Sequence, residues 1–336
     1  MNLLFSLIAI SSALITPEVL TSFIELEKNN PQRALLDYKK KAKHITNEFT
    51  LDALQYHRIA IRAAIDTKDI NTFLDILNTI KHDEFTPVTE KKALQIINDI
   101  GIIYRINNQL DDAIAHFQCA MTKTENANYI AALKSNIAAA YRIQNQPALG
   151  YSLLNSIEYT VLDKEIRAGI YITTGNFALH LNKTEDAIKH YQKALTLFKS
   201  QNKLRDETRL KFSIMTAALM AKDLSTFKQY RQGIEVKLQQ FHIEQTDFIN
   251  FLDMAYTAIK LKDNTQLKTK EFAELLLRLF KNDDANENIR LLLQTMKLES
   301  LLTPEQQRQP KEPILEANLG APWCEDLEQT KEVKRP

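Results

Sequence analysis

The hexamer YRINNQ at residues 104–109 returns as YRIQNQ at residues 141–146. An internal repeat constrains a fold strongly, because each copy must be one structural unit that packs on its neighbours. The match extends well beyond six residues. The first block carries Gly101, Tyr104, Ala113, Phe117 and Ala120. At the same offsets the second carries Ala138, Tyr141, Gly150, Leu154 and Ile157, and a third carries Gly175, Ala178, Ala187, Tyr191 and Ala194. Small residues at such positions let two helices cross closely, and the aromatic side chains fill the larger gaps beside them.

Composition agrees with a helical reading. Of 336 residues only 6 are Gly and 9 are Pro, and these are the two residues that cost most inside a helix. The small position of the second helix can be followed outward. It falls at Ala34, Phe73, Ala113, Gly150, Ala187, Phe227 and Leu267, at intervals of 37 to 40 residues. The outer copies share a turn of their own, KDINTF at 68–73, KDLSTF at 222–227 and a weaker KDNTQL at 262–267. The spacing predicts an all-α chain of seven helix hairpins between Thr16 and Phe280. A closing helix follows from Glu287 to Leu302.

The three central blocks, residues 94–127, 131–164 and 168–201, resemble the tetratricopeptide repeat family. That family places a small residue and an aromatic on the first helix, then Ala, aromatic, Ala on the second. The second block departs from it at Gly150 and Leu154, and the proline that usually follows the second helix is absent throughout. The intervals also exceed the family's usual repeat of about 34 residues. The resemblance implies an α-α superhelix, a right-handed solenoid of about seven hairpins plus the closing helix, over residues 16–302. It also implies a non-enzymatic scaffold that holds a peptide or a partner's helix in a groove lined by first helices. By that resemblance the lining residues are Arg58, Arg62, Gln95, Asn98, Arg105, Ser135, Arg142, Asn176 and His180. Some family members clamp a C-terminal carboxylate with Lys, Asn and Arg on successive first helices. Here only Asn136 matches, while Asn98, Gly169 and Thr173 stand at the basic positions. That clamp is not carried over. An alternative is a ligand- or peptide-sensing regulatory module that signals through a partner chain.

The sequence holds no HExxH, no P-loop, no G-x-S-x-G and no G-x-G-x-x-G, motifs whose spacing serves specific chemistry. The seven histidines form no ligand spacing, and Asp111-Asp112 reads as the acidic first turn of a helix. We expect no enzymatic activity, metal or cofactor. A net charge of +1 argues against a broad nucleic-acid footprint.

The two ends differ from the repeats. Residues 1–15 carry no charged side chain, and the apolar run from Leu3 to Ile10 is too short to span a bilayer. They fit a signal peptide cleaved after Ala13, or alternatively a buried first segment. Thr16-Pro17-Glu18 reads as a new helix start. Cleavage implies a periplasmic or secreted protein with no integral membrane span after processing; a buried segment implies a cytoplasmic one. Residues 303–336 hold five of the nine prolines and the single tryptophan, Trp323, and read as a disordered Pro-rich tail. The spacing of Cys119 and Cys324 leaves open whether they pair.

Overall fold

Six hairpin turns use the same backbone device. Lys68, Asn108, Asn145, Asn182, Lys222 and Lys262 have left-handed backbones, with φ between 55° and 60°. At every one, the next residue's N–H donates to the carbonyl five residues back: Asp69 to Ala64, Gln109 to Tyr104, Gln146 to Tyr141, Lys183 to Ala178, Asp223 to Ala218 and Asp263 to Ala258. This 6→1 bond satisfies a carbonyl that the helix end would orphan. Asn tolerates the left-handed region through its short polar side chain; at the three lysines the turn is adopted without that help. The residue that donates the bond also opens the next hairpin arm. Asp69 and Asp223 use their side chains to accept from the N–H groups of Thr72 and Thr226, both at 3.0 Å.

The computed structural model describes residues 15–45, 48–241, 245–280, 286–303 and 324. Among these it is all-α, without strands. The apolar run 3–10, the cleavage position after Ala13, His242, Asp283-Asp284, Trp323 and the tail other than Thr303 and Cys324 lie outside the described residues. Two units are distinguished by their packing, residues 1–124 with 313–336, and residues 125–312.

In the first unit, α1 (Pro17–Asn29) and α2 (Pro31–Ile45) pair, then α3 (Leu51–Asp66) and α4 (Ile70–Ile80). A single turn, α5 (Thr86–Thr89), leads to the pair α6 (Ala93–Ile106) and α7 (Leu110–Thr122). Helix α1 starts where the sequence places it, with Thr16 Oγ1 accepting from the Val19 N–H at 3.4 Å and Pro17 at the first helical position. The first helices α1, α3 and α6 contact in succession. At the α6–α7 crossing, a Cβ on Gly101 would lie 2.6 Å from Phe117 Cε1, so only Gly lets that ring sit where it does. Ala113, Phe117 and Ala120 are fully buried and Tyr104 is 1% exposed. Cys119 of α7 forms a disulfide with Cys324, which is itself buried. At that residue the Pro-rich segment is covalently tied to a helix.

In the second unit, α8 (Ala127–Ile143) pairs with α9 (Pro147–Asn155), and α10 (Lys164–His180) with α11 (Thr184–Ser200). Next come α12 (Leu204–Met220) and α13 (Leu224–Arg231), then α14 (Ile234–Phe241), α15 (Thr246–Leu261), α16 (Lys270–Leu279) and α17 (Asn286–Thr295). Gly175 faces Tyr191 as Gly101 faces Phe117, its Cβ position 2.5 Å from the ring. Ala187, Tyr191 and Ala194 are fully buried. The middle block solves the same problem differently. Gly150 of α9 meets Phe177 of the following helix α10, at 2.2 Å from a Cβ position. The ring there comes from the next hairpin, Ala138 is fully buried, and Tyr141 stays half-buried. Two further departures concern second helices. Gly233, at φ 68°, separates α13 from α14, and Leu267 sits on a short 3₁₀ turn (Thr265–Lys268) ahead of α16.

Candidate functional site

Arg58 and Arg62 are one helical turn apart on α3 and share a face. The structure puts both on carboxylates of the same unit. Arg58 Nη2 donates to Asp99 Oδ2 of α6 at 3.0 Å, with the two side chains 12% and 5% exposed. Burial pushes the Asp99 carboxyl up, against the opposing pull of the Arg58 charge. Arg62 Nη2 donates to Glu27 Oε2 of α1 at 2.6 Å; Glu27 is buried, while Arg62 keeps a partly exposed guanidinium. Burial, reinforced by the nearby Glu27 charge, raises the Asp66 carboxyl. Gln95, Asn98 and Arg105 of α6 are half-buried. Gln95 Oε1 and Arg58 Nε are buried without a hydrogen-bond partner among the described residues. Such atoms mark a polar seam under tension, because each unpaired buried group carries its full desolvation cost. Asp66 continues the four-residue spacing of Arg58 and Arg62 along α3, whereas Glu27 and Asp99 are the members of this face that sequence spacing does not reveal.

His57, next to Arg58, belongs to the core. Its Nδ1 lies 2.8 Å from the Tyr38 hydroxyl and its ring meets Phe85 edge-on at 5.6 Å. Burial lowers its pKa to about 4 from 6.5. A base that is harder to protonate when folded binds fewer protons than the unfolded chain, so stability rises with pH. His57's contribution is complete above about pH 6.5 and is lost as pH falls toward 4. The shift corresponds to roughly 3 kcal/mol. Denaturant unfolding of wild type and a His57→Gln variant at pH 7, 5.5 and 4 should show the difference narrowing by that amount. A difference independent of pH would overturn a neutral, buried His57.

The second unit brings two of its expected residues, Arg142 and His180, together at the ends of two first helices. Arg142 lies in the last turn of α8 and His180 closes α10. Both meet Glu287 in the first turn of α17: His180 Nε2 stands 2.7 Å from Oε1, and Arg142 Nη1 donates to Oε2. Burial raises the Glu287 carboxyl, but the His180 hydrogen bond and the Arg142 charge outweigh it and hold the pKa below the ordinary value. Asn176 Oδ1 accepts from the Tyr191 hydroxyl at 2.7 Å, so it orients a core ring. Ser135 Oγ lies 3.5 Å from Thr173 Oγ1.

Magnitudes show what holds α17. Its Ile289, Leu292 and Leu293 are fully buried in the core that also contains α12. At about 2 kcal/mol each, these three contribute roughly 6 kcal/mol. An ion contact with a 43% exposed Glu287 contributes on the order of 1 kcal/mol at most. The apolar stripe therefore fixes the helix, and the Glu287 contacts add little to its stability.

An open cleft of about 430 Å³ lies between α1 and α2 in the first unit. Phe23 and Tyr56, stacked at 4.0 Å, form its floor, and Arg33, Asp37 and Lys41 line its α2 side. Its shape suits one apolar side chain with polar groups around it. Among the described residues no group of three or more His, Cys, Asp or Glu could hold a metal ion. No described helix is long and apolar enough to cross a membrane. Compared with known proteins, the chain matches no family model, and no curated protein matches it in sequence.

Proposed function

We propose that the chain is a non-enzymatic scaffold of the tetratricopeptide kind, which holds a peptide or a partner's helix against its first helices. In this reading the hairpins of each unit stack in the manner of a right-handed α-α superhelix. One observation carries it: the same left-handed turn closes first helices at Lys68, Asn108, Asn145, Asn182, Lys222 and Lys262, 37 to 40 residues apart. The paired crossings of Gly101 with Phe117 and Gly175 with Tyr191 support it. A hairpin repeated in this way exposes a row of like positions, and stacked repeats use such rows as extended binding surfaces. The Cys119–Cys324 disulfide supports an oxidising compartment, and so export.

The surface offered is selective. Arg58 is buried against Asp99 while the Arg62 side chain stays 44% exposed; in this reading the contact residues of the first unit are Arg62, Asn98 and Arg105 on the first helices, with the α1–α2 cleft taking an apolar anchor. Arg105→Glu tests this without removing the counter-ion of Glu27 or Asp99. A partner that cross-links to the first unit of the wild-type chain should be lost with Arg105→Glu, with helicity by circular dichroism unchanged. Undiminished cross-linking would remove this face from the reading.

A further inference from the structure

We propose that the α1–α2 cleft is an anchor pocket, and that it takes an aromatic side chain and a carboxylate two residues apart on an extended partner peptide. This rests on the scaffold reading above and names what the partner brings to the first unit. The floor selects the first group. Phe23 and Tyr56 are buried and stacked, and the half-buried Val19 and Leu26 of α1 continue the apolar surface. A third ring laid against such a pair gains contact in the offset or edge-on geometry that rings favour. The floor also holds an unused donor. The Tyr56 hydroxyl is buried and has no hydrogen-bond partner among the described residues. Burial and the Asp37 charge keep it protonated, so it can donate to a carbonyl of the incoming peptide.

The rim selects the second group. Lys41 is already held by Asp37 at 2.8 Å. Glu18, the other acid of the cleft, is engaged by Thr16 and its own backbone at the head of α1. Arg33 is exposed and makes no ion pair among the described residues. It is the cation of the cleft left to pair with an incoming acid, and its planar guanidinium suits a carboxylate. Spacing ties the two groups together. The α2 wall rises about 12 Å from Arg33 to Lys41, room for a few residues of extended chain. Arg33 stands one turn, about 6 Å, before Asp37, whose charge acts on Tyr56 below it. In an extended peptide, side chains two residues apart share a face and lie about 7 Å apart. An aromatic ring seated on Phe23 and Tyr56 thereby sets an acid two positions away beside Arg33.

The test uses the full chain and short, end-capped, fluorescein-labelled peptides of Gly and Ser with a central Trp-Gly-Glu. Fluorescence anisotropy should show saturable binding below about millimolar concentration. Ala in place of the Trp should weaken it at least about tenfold, because a buried aromatic anchor carries most of such binding. Gln in place of the Glu should weaken it about threefold, the scale of an exposed ion pair. In the chain, Ser22→Trp fills the cleft from its exposed rim and should abolish binding. Arg33→Glu should reverse the preference, so that a Trp-Gly-Lys peptide binds better than Trp-Gly-Glu. Both positions are exposed, and circular dichroism should show unchanged helicity. Should a variant lose helicity, the peptide series on wild type decides. No saturable binding to wild type, equal binding with and without the Trp, or binding that survives Ser22→Trp overturns the proposal. Self-association of wild type that Ser22→Trp abolishes would give the cleft to a second copy and overturns the partner peptide. Failure here with success of the Arg105 cross-linking test leaves the scaffold reading standing and removes only this anchor.

Discussion

Replacing both Cys119 and Cys324 by serine lowers the free energy of unfolding by ~5 kcal/mol. The figure follows from loop length. The bridge joins residues 205 positions apart, and the entropy it removes from the unfolded chain grows with the logarithm of that number. A bridge over 15 residues would contribute about 3 kcal/mol by the same relation. The enclosed loop contains every residue of the second unit, 125–312, so unfolding of either unit is affected. Urea unfolding of the oxidised chain, the reduced chain and the double serine variant provides the measurement. The last two should agree with each other and lie below the first. A loss under about 1 kcal/mol would mean that the bridge does not restrict the unfolded ensemble as the loop relation requires. The same variant bears on compartment. A chain that depends on this bridge folds to full stability only where thiols oxidise.

The repeat was legible because its signals are local. Gly101 and Phe117 are close in sequence, as are Gly175 and Tyr191, and each pair meets across one turn. Asn108, Asn145 and Asn182 announce a left-handed helix end by residue type alone. Lys68, Lys222 and Lys262 adopt the same conformation, and there only the shared KD word hinted at a common turn. The candidate faces were legible in position and not in chemistry. Helical spacing puts Arg58 and Arg62 on one side of α3, but their acids come from 41 and 35 residues away. Glu287 reaches Arg142 across 145 residues. Pairings at that distance depend on which helix faces meet, and periodicity within one helix carries no such information. Phe177 at Gly150 illustrates the same point for the core: the block without its own aromatic takes one from the next hairpin. The cysteines fall in this class too, since two thiols so far apart in sequence do not declare themselves partners.

Asp99→Ala is expected to cost ~3–5 kcal/mol, more than its single hydrogen bond would suggest. The reason lies in what remains. Arg58 is 12% exposed and its Nε has no partner among the described residues, so removing the carboxylate strands a cation where water reaches poorly. Attraction between the two charges offsets the desolvation of both, and truncation keeps one cost while deleting the gain. Replacing both partners has a different sign of argument. Arg58→Met with Asp99→Leu removes both charges together with the unpaired Nε, and is expected to change stability by about 1 kcal/mol or less in the destabilising direction, or to stabilise. A double-mutant cycle with Arg58→Met, Asp99→Leu and their combination should then give a coupling of roughly 3 kcal/mol, at the upper end of the range for contacting neighbours. Near-additive singles would show that the pair is hydrated in solution, and that the α3–α6 face is open to a partner's own charges. Strong coupling would show the opposite: Arg58 is committed to holding α3 against α6, and the proposed scaffold reading would then rest on Arg62, Asn98 and Arg105 for this face.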